Sequence, residues 1–263
     1  MNYELLCNKV ISIVRLTGNF IRKEAMQFDA QKIEYKGLND MVSYVDKTAE
    51  QKLVQNLEKL IPDAGFLTEE KTINREGKIY KWIIDPLDGT TNFIHGLPTY
   101  AISVALYEDD KAVLGVVYEL NRGEMFYSYK EALAFMNKRE IKVSSNPDLK
   151  SSLLATGFPY YQFDKQPQYL KLLEEMMQKT HGLRRMGSAA TDLIYVACGR
   201  FDAFFEYNLQ PWDFAGGCFI VQQAGGDVFD FSGESDFFGK REILATNGKI
   251  TNEMLVAIKK YFG

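Results

Sequence analysis

Trp82-Ile83-Ile84-Asp85-Pro86-Leu87-Asp88-Gly89-Thr90-Thr91-Asn92-Phe93 is the stretch on which the reading of this fold turns. Its opening residues form an apolar strand, and Asp85 follows directly, where a buried carboxylate is costly without a cation. Pro86 fixes φ and predicts a sharp turn. Asp85 and Asp88, three residues apart around that turn, then aim their carboxylates at a common point. Gly89 allows close backbone approach, and Thr90 and Thr91 stand where a helix would begin, with Asp88 as its N-cap. Free N–H groups at a helix start attract an anion. Two carboxylates beside them suit hard divalent cations that bridge to a phosphate. A plainer reading of the segment by itself stays open: a strand-to-helix turn capped by Asp88, with Asp85 solvated.

On either side, the hydrophobic periodicity supplies a frame. Leu6, Val10, Ile13, Thr17 and Ile21 recur at helical spacing over residues 4–26. Tyr35 to Met41 reads as a polar loop, and residues 43–60 as a second helix with Val45, Ala49, Leu53, Leu57 and Leu60 on one face, stopped by Pro62. Tyr100–Tyr107, Ala112–Tyr118 and Met125–Tyr129 are strands, parted by hairpin turns at Glu108-Asp109-Asp110 and Asn121-Arg122-Gly123. The second half alternates: strands at Ser152–Ala155, Asp202–Glu206, Asp227–Phe231 and Ile243–Ala245, and helices near 168–179, 188–199, 214–223 and 251–261. A helix-rich start, an antiparallel middle and an alternating end predict an α+β chain with sheets sandwiched between helix layers. No linker interrupts the 263 residues, so a single domain over 1–263 is expected, in two packed halves of about 1–147 and 148–263.

Composition excludes several functions. With 31 Lys and Arg against 35 Asp and Glu, a net charge of −4 and no long basic run, the chain is a poor nucleic-acid binder, and no nucleic-acid partner is expected. Three scattered cysteines, Cys7, Cys198 and Cys218, argue for reduced thiols and a cytoplasmic location. Glu4, Lys9 and Arg15 interrupt any signal-peptide core, and no apolar run suits a membrane span. Two histidines, His95 and His181, cannot build a multi-histidine zinc or copper site, and His95 reads as structural or exposed. The residues six positions after the cysteines are Ile13, Phe204 and Ala224, so a cysteine-nucleophile phosphatase loop is absent. Phosphate-binding Gly-Lys loops, dinucleotide fingerprints and serine nucleophile elbows are absent too.

Two further acidic spots remain. Glu69 and Glu70 end the short apolar run Phe66-Leu67-Thr68, where a solvated turn is the plain alternative. Asp213, in Pro211-Trp212-Asp213-Phe214-Ala215-Gly216-Gly217, reads as the N-cap of a helix whose small residues pack closely. At this point the pieces fall into a pattern. Residues 82–93 resemble the first signature of the inositol monophosphatase family, W-x-[VI]-D-P-[LI]-D-G-T-x-N-[FY], and Trp212 to Gly226 resembles its second. Leu67 to Glu70 resembles the family's G-E-E element and Asp40 to Asp46 its D-x-V-T-x-x-D. Gly187-Ser188-Ala189-Ala190 and Phe204-Phe205-Glu206 fall where the family holds substrate. The match runs in order over about residues 35–245; Thr68 stands for the usual glycine and Ser43 for threonine.

The resemblance implies the five-layered αβαβα sandwich of the sugar-phosphatase type, a homodimer, and a lithium-sensitive, Mg²⁺-dependent phosphomonoesterase acting on a small phosphorylated polyol or sugar, foremost inositol-1-phosphate. It implies two or three Mg²⁺ ions. Glu69, Asp85 and the carbonyl of Leu87 would hold the first, Asp85, Asp88 and Asp213 the second, with Glu69 touching a third. Thr90 with Asp46 would activate water, supported by Glu70, and the N–H groups of Gly89 and Thr90 would bind phosphate. Gly187, Ser188, Ala189 and Glu206, with Asp88 and Asp213, would hold the polyol. Plain alternatives stay open for Asp46, as a solvated helix residue, for Glu206, as a surface carboxylate, and for Lys36, which either closes over phosphate or is solvated. Among functions, the alternatives are hydrolysis of 3′-phosphoadenosine 5′-phosphate or fructose-1,6-bisphosphate, and a non-enzymatic regulator that contacts RNA polymerase.

Overall fold

The computed structural model describes residues 1–28, 33–37, 40–73, 75–159 and 163–263, with 33–37 and 40–42 described by backbone alone. Helix α1 (Tyr3–Ala25) starts where the Asn2 side chain accepts from Leu5 N–H, and it buries Leu6, Val10, Val14, Thr17 and Ile21 along one stripe. Strand β1 (Ile33–Gly37) pairs antiparallel with β2 (Asp40–Ser43), where a polar loop over Tyr35–Met41 was expected. Two strands that satisfy each other's backbone need no apolar run to announce them. Helix α2 (Tyr44–Leu57) buries Val45, Ala49, Leu53 and Leu57, and ends one turn short of the expected boundary.

The first sheet follows. Strand β3 (Gly65–Thr68) lies parallel to β4 (Tyr80–Asp88); after a five-residue helix α3 (Thr90–Ile94) come β5 (Ala101–Glu108), β6 (Lys111–Glu119), β7 (Glu124–Tyr129), β8 (Phe135–Met136) and β9 (Arg139–Glu140). From β4 to β9 the strands run antiparallel in chain order, as hairpin connections require.

The second sheet interleaves with helices: β10 (Leu153–Thr156), α4 (Gln166–Lys179), β11 (Gly182–Arg184), α5 (Ala189–Ala197), β12 (Ala203–Tyr207), α6 (Pro211–Gln223), β13 (Asp227–Phe229), β14 (Glu242–Thr246) and α7 (Thr251–Phe262). Its strand order is β11-β10-β12-β14-β13, with β10 parallel to both neighbours and the remaining pairs antiparallel.

Three apolar clusters, the middle one filling both sides of a helix layer, stack these parts into five layers. Helices α1 and α2 pack on the face of the first sheet that carries Trp82, Ile84, Ile102 and Val104. Helices α5 and α6 fill the space between the sheets, where Leu193, Ile194, Phe214 and Ile220 meet Val117 and Phe126 on one side and Phe204 and Ala245 on the other. Helices α4 and α7 cover the far face through Leu172, Met176, Met254 and Ile258. This is the αβαβα sandwich. The central layer depends on small residues: a Cβ on Gly216 would lie 2.9 Å from Ser103 Oγ, and one on Gly217 2.7 Å from Leu193 Cβ. Among the described residues, no helix is long and apolar enough to cross a membrane. The three cysteines are unpaired, as expected, with Cys7 and Cys218 buried.

Candidate active site

The acidic corner of β4 arises from a bulge. Asp85 pairs with Ser103 and Asp88 with Ala101, so β4 uses three steps where β5 uses two. In a regular strand, residues three apart face opposite sides; the extra residue reverses the alternation. Leu87 therefore points into the α1–α2 core while Asp85 and Asp88 line the same pocket. Pro86, with no N–H to lose, sits inside this irregularity. The expected turn at Asp85-Pro86 is corrected accordingly: the strand continues to Asp88. Gly89, at φ +95°, makes the turn instead and is itself the N-cap of α3, so Asp88 does not cap that helix.

Glu69 and Glu70 follow β3 at the adjoining edge. Their loop is held by Glu50, a fully buried residue of α2, whose Oε2 accepts from Glu70 N–H at 2.7 Å. Its Oε1 accepts from the hydroxyls of Thr68 and Thr72 and from Thr72 N–H at 2.7–2.9 Å. Thr68, where the family pattern has glycine, is thus an anchor for that loop. Glu69 lines the pocket; Glu70 is not among its lining residues.

Asp46 is fully buried rather than solvated. Its Oδ2 accepts from Ser43 N–H at 2.9 Å and from Ser43 Oγ–H at 2.6 Å, completing a capping box, and its Oδ1 accepts from Thr90 Oγ1–H at 2.8 Å. Burial pushes its pKa up, against the pull of the Ser43 and Thr90 hydrogen bonds. Asp46 reaches the pocket through Thr90, which lines it and whose hydroxyl also lies 2.9 Å from the Leu87 carbonyl.

The opposite wall comes from the second half. Asp88 Oδ2 accepts from Ser188 Oγ–H at 2.6 Å and from Ala190 N–H at 2.7 Å, so the carboxylate caps α5 from another element. Burial lifts Asp88 to a pKa of about 6, opposed by these bonds and by Arg185. Asp213 is at the third position of α6, not its N-cap: its Oδ2 accepts from Gln210 N–H at 2.7 Å. Glu206, on β12, is buried and lines the pocket, which excludes the surface reading. A Cβ on Gly157 would stand 1.9 Å from a Glu206 oxygen, so glycine there makes the room for this carboxyl. Gly187, at φ +86°, Ser188 and Ala189 complete the wall. Asn92 ties the two walls together, donating to the carbonyls of Thr99 and Met186 at 2.7 and 2.8 Å.

The resulting cavity, about 420 Å³, is faced by six carboxylates, Glu69, Asp85, Asp88, Asp192, Glu206 and Asp213, against the cations of Lys71 and Arg185. Burial raises the pKa of Asp85 well above its ordinary value, and the charges of Glu69, Asp88 and Asp213 raise it further. Such a pocket repels a phosphate until cations offset it. Its donors are oxygens, the chemistry that hard divalent ions require. Among the described residues, no three such side chains already form a chelating group; Asp88 and Asp213 direct oxygens to helix-end N–H groups instead. The carboxylates fit Mg²⁺ by donor type and by lining one cavity, without a preassembled chelate among the described residues.

His95 is exposed, within its expected reading. The Lys36 expectation concerns a side chain outside the described residues. Sequence reading passed over Glu50, Asn92, Gly157, Arg185 and Asp192. For Glu50 a signal existed, since it lies four residues after Asp46 on the same helix, and for Asn92 another, as the asparagine of the 82–93 signature; for Gly157 none did, because its role is contact across elements.

Comparison with known proteins gives the family and the fold. The model of the inositol monophosphatase family matches residues 4–260. The chain is 41% identical over 255 residues to the putative Nus factor SuhB of Neisseria meningitidis, covering 97% of this chain and 98% of that one. It is 36% identical over 256 residues to inositol-1-monophosphatase of Mesorhizobium japonicum, covering 97% and 96%. The crystal structure of extragenic suppressor protein suhB from Bartonella henselae superposes with a TM-score of 0.92 at 38% identity, covering 97% of this chain and 99% of that one. A match of such length, on a sandwich whose carboxylates meet between its two sheets, makes this chain a member of the inositol monophosphatase family.

Proposed function

We propose that the chain is a Mg²⁺-dependent phosphomonoesterase hydrolysing a small phosphorylated polyol or sugar, foremost inositol-1-phosphate. The observation that carries this reading is the burial of Asp85 among Glu69, Asp88 and Asp213, an arrangement costly unless cations occupy it. In this reading Glu69, Asp85 and the Leu87 carbonyl hold one ion and Asp85, Asp88 and Asp213 a second, with Glu69 at the edge of a third. Bound there, Mg²⁺ supplies the charge that neutralises the pocket and acidifies water for attack on phosphorus.

The chain's own residues do the positioning. Asp46 takes the hydrogen bond of the Thr90 hydroxyl, which turns the Thr90 oxygen into an acceptor for a proton of the attacking water. Glu70, outside the cavity lining, would support that water from the β3 side only with its side chain turned inward. The N–H groups of Gly89 and Thr90 receive phosphate oxygens, while Asp213 orients the water that protonates the leaving alkoxide. Glu206, Ser188 and the Gly187–Ala189 backbone hold the hydroxyls. A cytoplasmic homodimer belongs to the same reading.

The test is phosphate release from inositol-1-phosphate, 3′-phosphoadenosine 5′-phosphate and fructose-1,6-bisphosphate, with Mg²⁺, with EDTA and with Mg²⁺ plus Li⁺. Preference for the inositol ester, abolition by EDTA and uncompetitive inhibition by Li⁺ are expected; turnover that persists in EDTA sinks the metal reading. One observation favours a second reading. Relatives 36–41% identical, among them those of Neisseria meningitidis, Pseudomonas aeruginosa and Escherichia coli, bear the name Nus factor SuhB. A regulator contacting RNA polymerase, and thereby nucleic acid, stands against the expectation of no nucleic-acid partner. Retained cellular function in an Asp88→Asn protein, together with co-purification of RNA polymerase, would favour it.

A further inference from the structure

Asp192 stands in the first turns of α5, four residues after the Ser188 cap, and is 1% exposed. It lines the cavity, yet its Oδ1 is buried with no hydrogen-bond partner among the described residues. Asp46, Glu50 and Asp88, the other buried acids nearby, each accept two or more hydrogen bonds. Asp192 also stands close enough to Glu206 and Asp88 for their charges to act on it, with Arg185 alone offsetting them. A buried carboxyl oxygen without a donor, as Oδ1 is here, costs free energy that packing does not return. Its surroundings contain acceptors and one guanidinium, so the missing partner is a hydrogen-bond donor that enters with a ligand.

Resting on the phosphomonoesterase reading above, we infer that Asp192 is a specificity-determining residue that receives a second hydroxyl of the substrate, beyond the one held by Glu206. Two acceptor carboxyls on facing elements, β12 and α5, select a ring polyol or sugar with neighbouring free hydroxyls. They disfavour a substrate that brings another phosphate to this wall.

Two variants test it. Asp192→Asn keeps the shape, and Asp192→Leu removes the polar group at similar volume. For each, kcat/KM is measured on inositol-1-phosphate, on its mono-deoxy analogues and on p-nitrophenyl phosphate, and Tm is followed in parallel. In Asp192→Leu the preference for inositol-1-phosphate over the aryl ester should fall about ten- to hundredfold. One deoxy analogue, poor with the wild type, should lose its handicap in the variant, since the hydroxyl and its acceptor form a single coupled pair. Tm should hold or rise, because an unpartnered buried carboxyl has been removed. An unchanged preference overturns the inference, as does equal loss on every substrate with a fall in Tm, the signature of a structural role or of a bound water. A wild type inactive on every phosphate ester overturns the parent reading, and this inference with it.

Discussion

Asp88 illustrates how one residue serves two structural masters. Its Oδ2 caps α5, and its position after the bulge puts it on the same face of β4 as Asp85. Asp88→Asn is expected to lower kcat at least about a hundredfold, the scale of losing one transition-state electrostatic contact. The fold should survive, because burial already disfavours the charged form; turnover like the wild type at saturating Mg²⁺ would count against the second ion. Glu206 addresses substrate rather than chemistry. Glu206→Gln should raise KM for inositol-1-phosphate far more than for an aryl phosphate, and equal losses on both would move Glu206 into the catalytic apparatus.

The β3–β4 edge is an element-scale device. Glu50 reaches from α2 to gather four donors of residues 68–72, and so sets the path along which Glu69 and Glu70 are presented. Glu50→Ala removes the acceptor of all four, leaving the buried Thr68 hydroxyl unsatisfied at about 1–3 kcal/mol while the exposed Thr72 donors turn to water. The expected result is a lower Tm together with a higher Mg²⁺ half-saturation. Glu50→Gln, which retains an acceptor for part of the set, should be milder in both. A lower Tm with unaltered Mg²⁺ dependence would show that the loop does not transmit the position of Glu50 to Glu69.

At the scale of the whole molecule, the buried acids link stability to pH. Asp88 lies at about 6 against an ordinary 3.8, and burial raises Asp46, Asp85, Asp192 and Glu206 as well. A carboxyl whose folded pKa exceeds its unfolded value holds its proton more tightly when folded, so protonation stabilises the fold. In EDTA, Tm should therefore rise as pH falls from about 6 towards 4, and excess Mg²⁺ should reduce or reverse that slope. Glu108 and Glu175, held down at about 2 by side-chain hydrogen bonds from Tyr3 and Tyr80 and from Lys179 and Lys260, lose their contribution only as pH falls below about 4. A Tm in EDTA that falls through the same window would contradict this. The central helices also bear on domain organisation: α5 and α6 bury residues against both sheets. We propose one cooperative unit, so that 1–147 and 148–263 expressed separately should each lack a cooperative unfolding transition.

Periodicity alone was enough for most elements, because an amphipathic helix such as α1 and the hairpins from β5 to β7 write their burial into local spacing. Local chemistry likewise marked Asp85 and Asp88, whereas Glu69 and Asp213 stood out only through the family resemblance. What escaped was whatever depends on partners distant in the chain. The ribbon of β1 and β2 is held by backbone pairing that polarity does not reveal. The bulge at Pro86–Leu87 is defined only against β5, and it decides that two carboxylates three residues apart share a face. Asp88 was read as the cap of its own helix and caps α5 instead, about a hundred residues on. Local spacing records which side chains must be buried; only the packed layers decide which distant donor each buried oxygen meets, and for Asp192 Oδ1 that no donor among the described residues does.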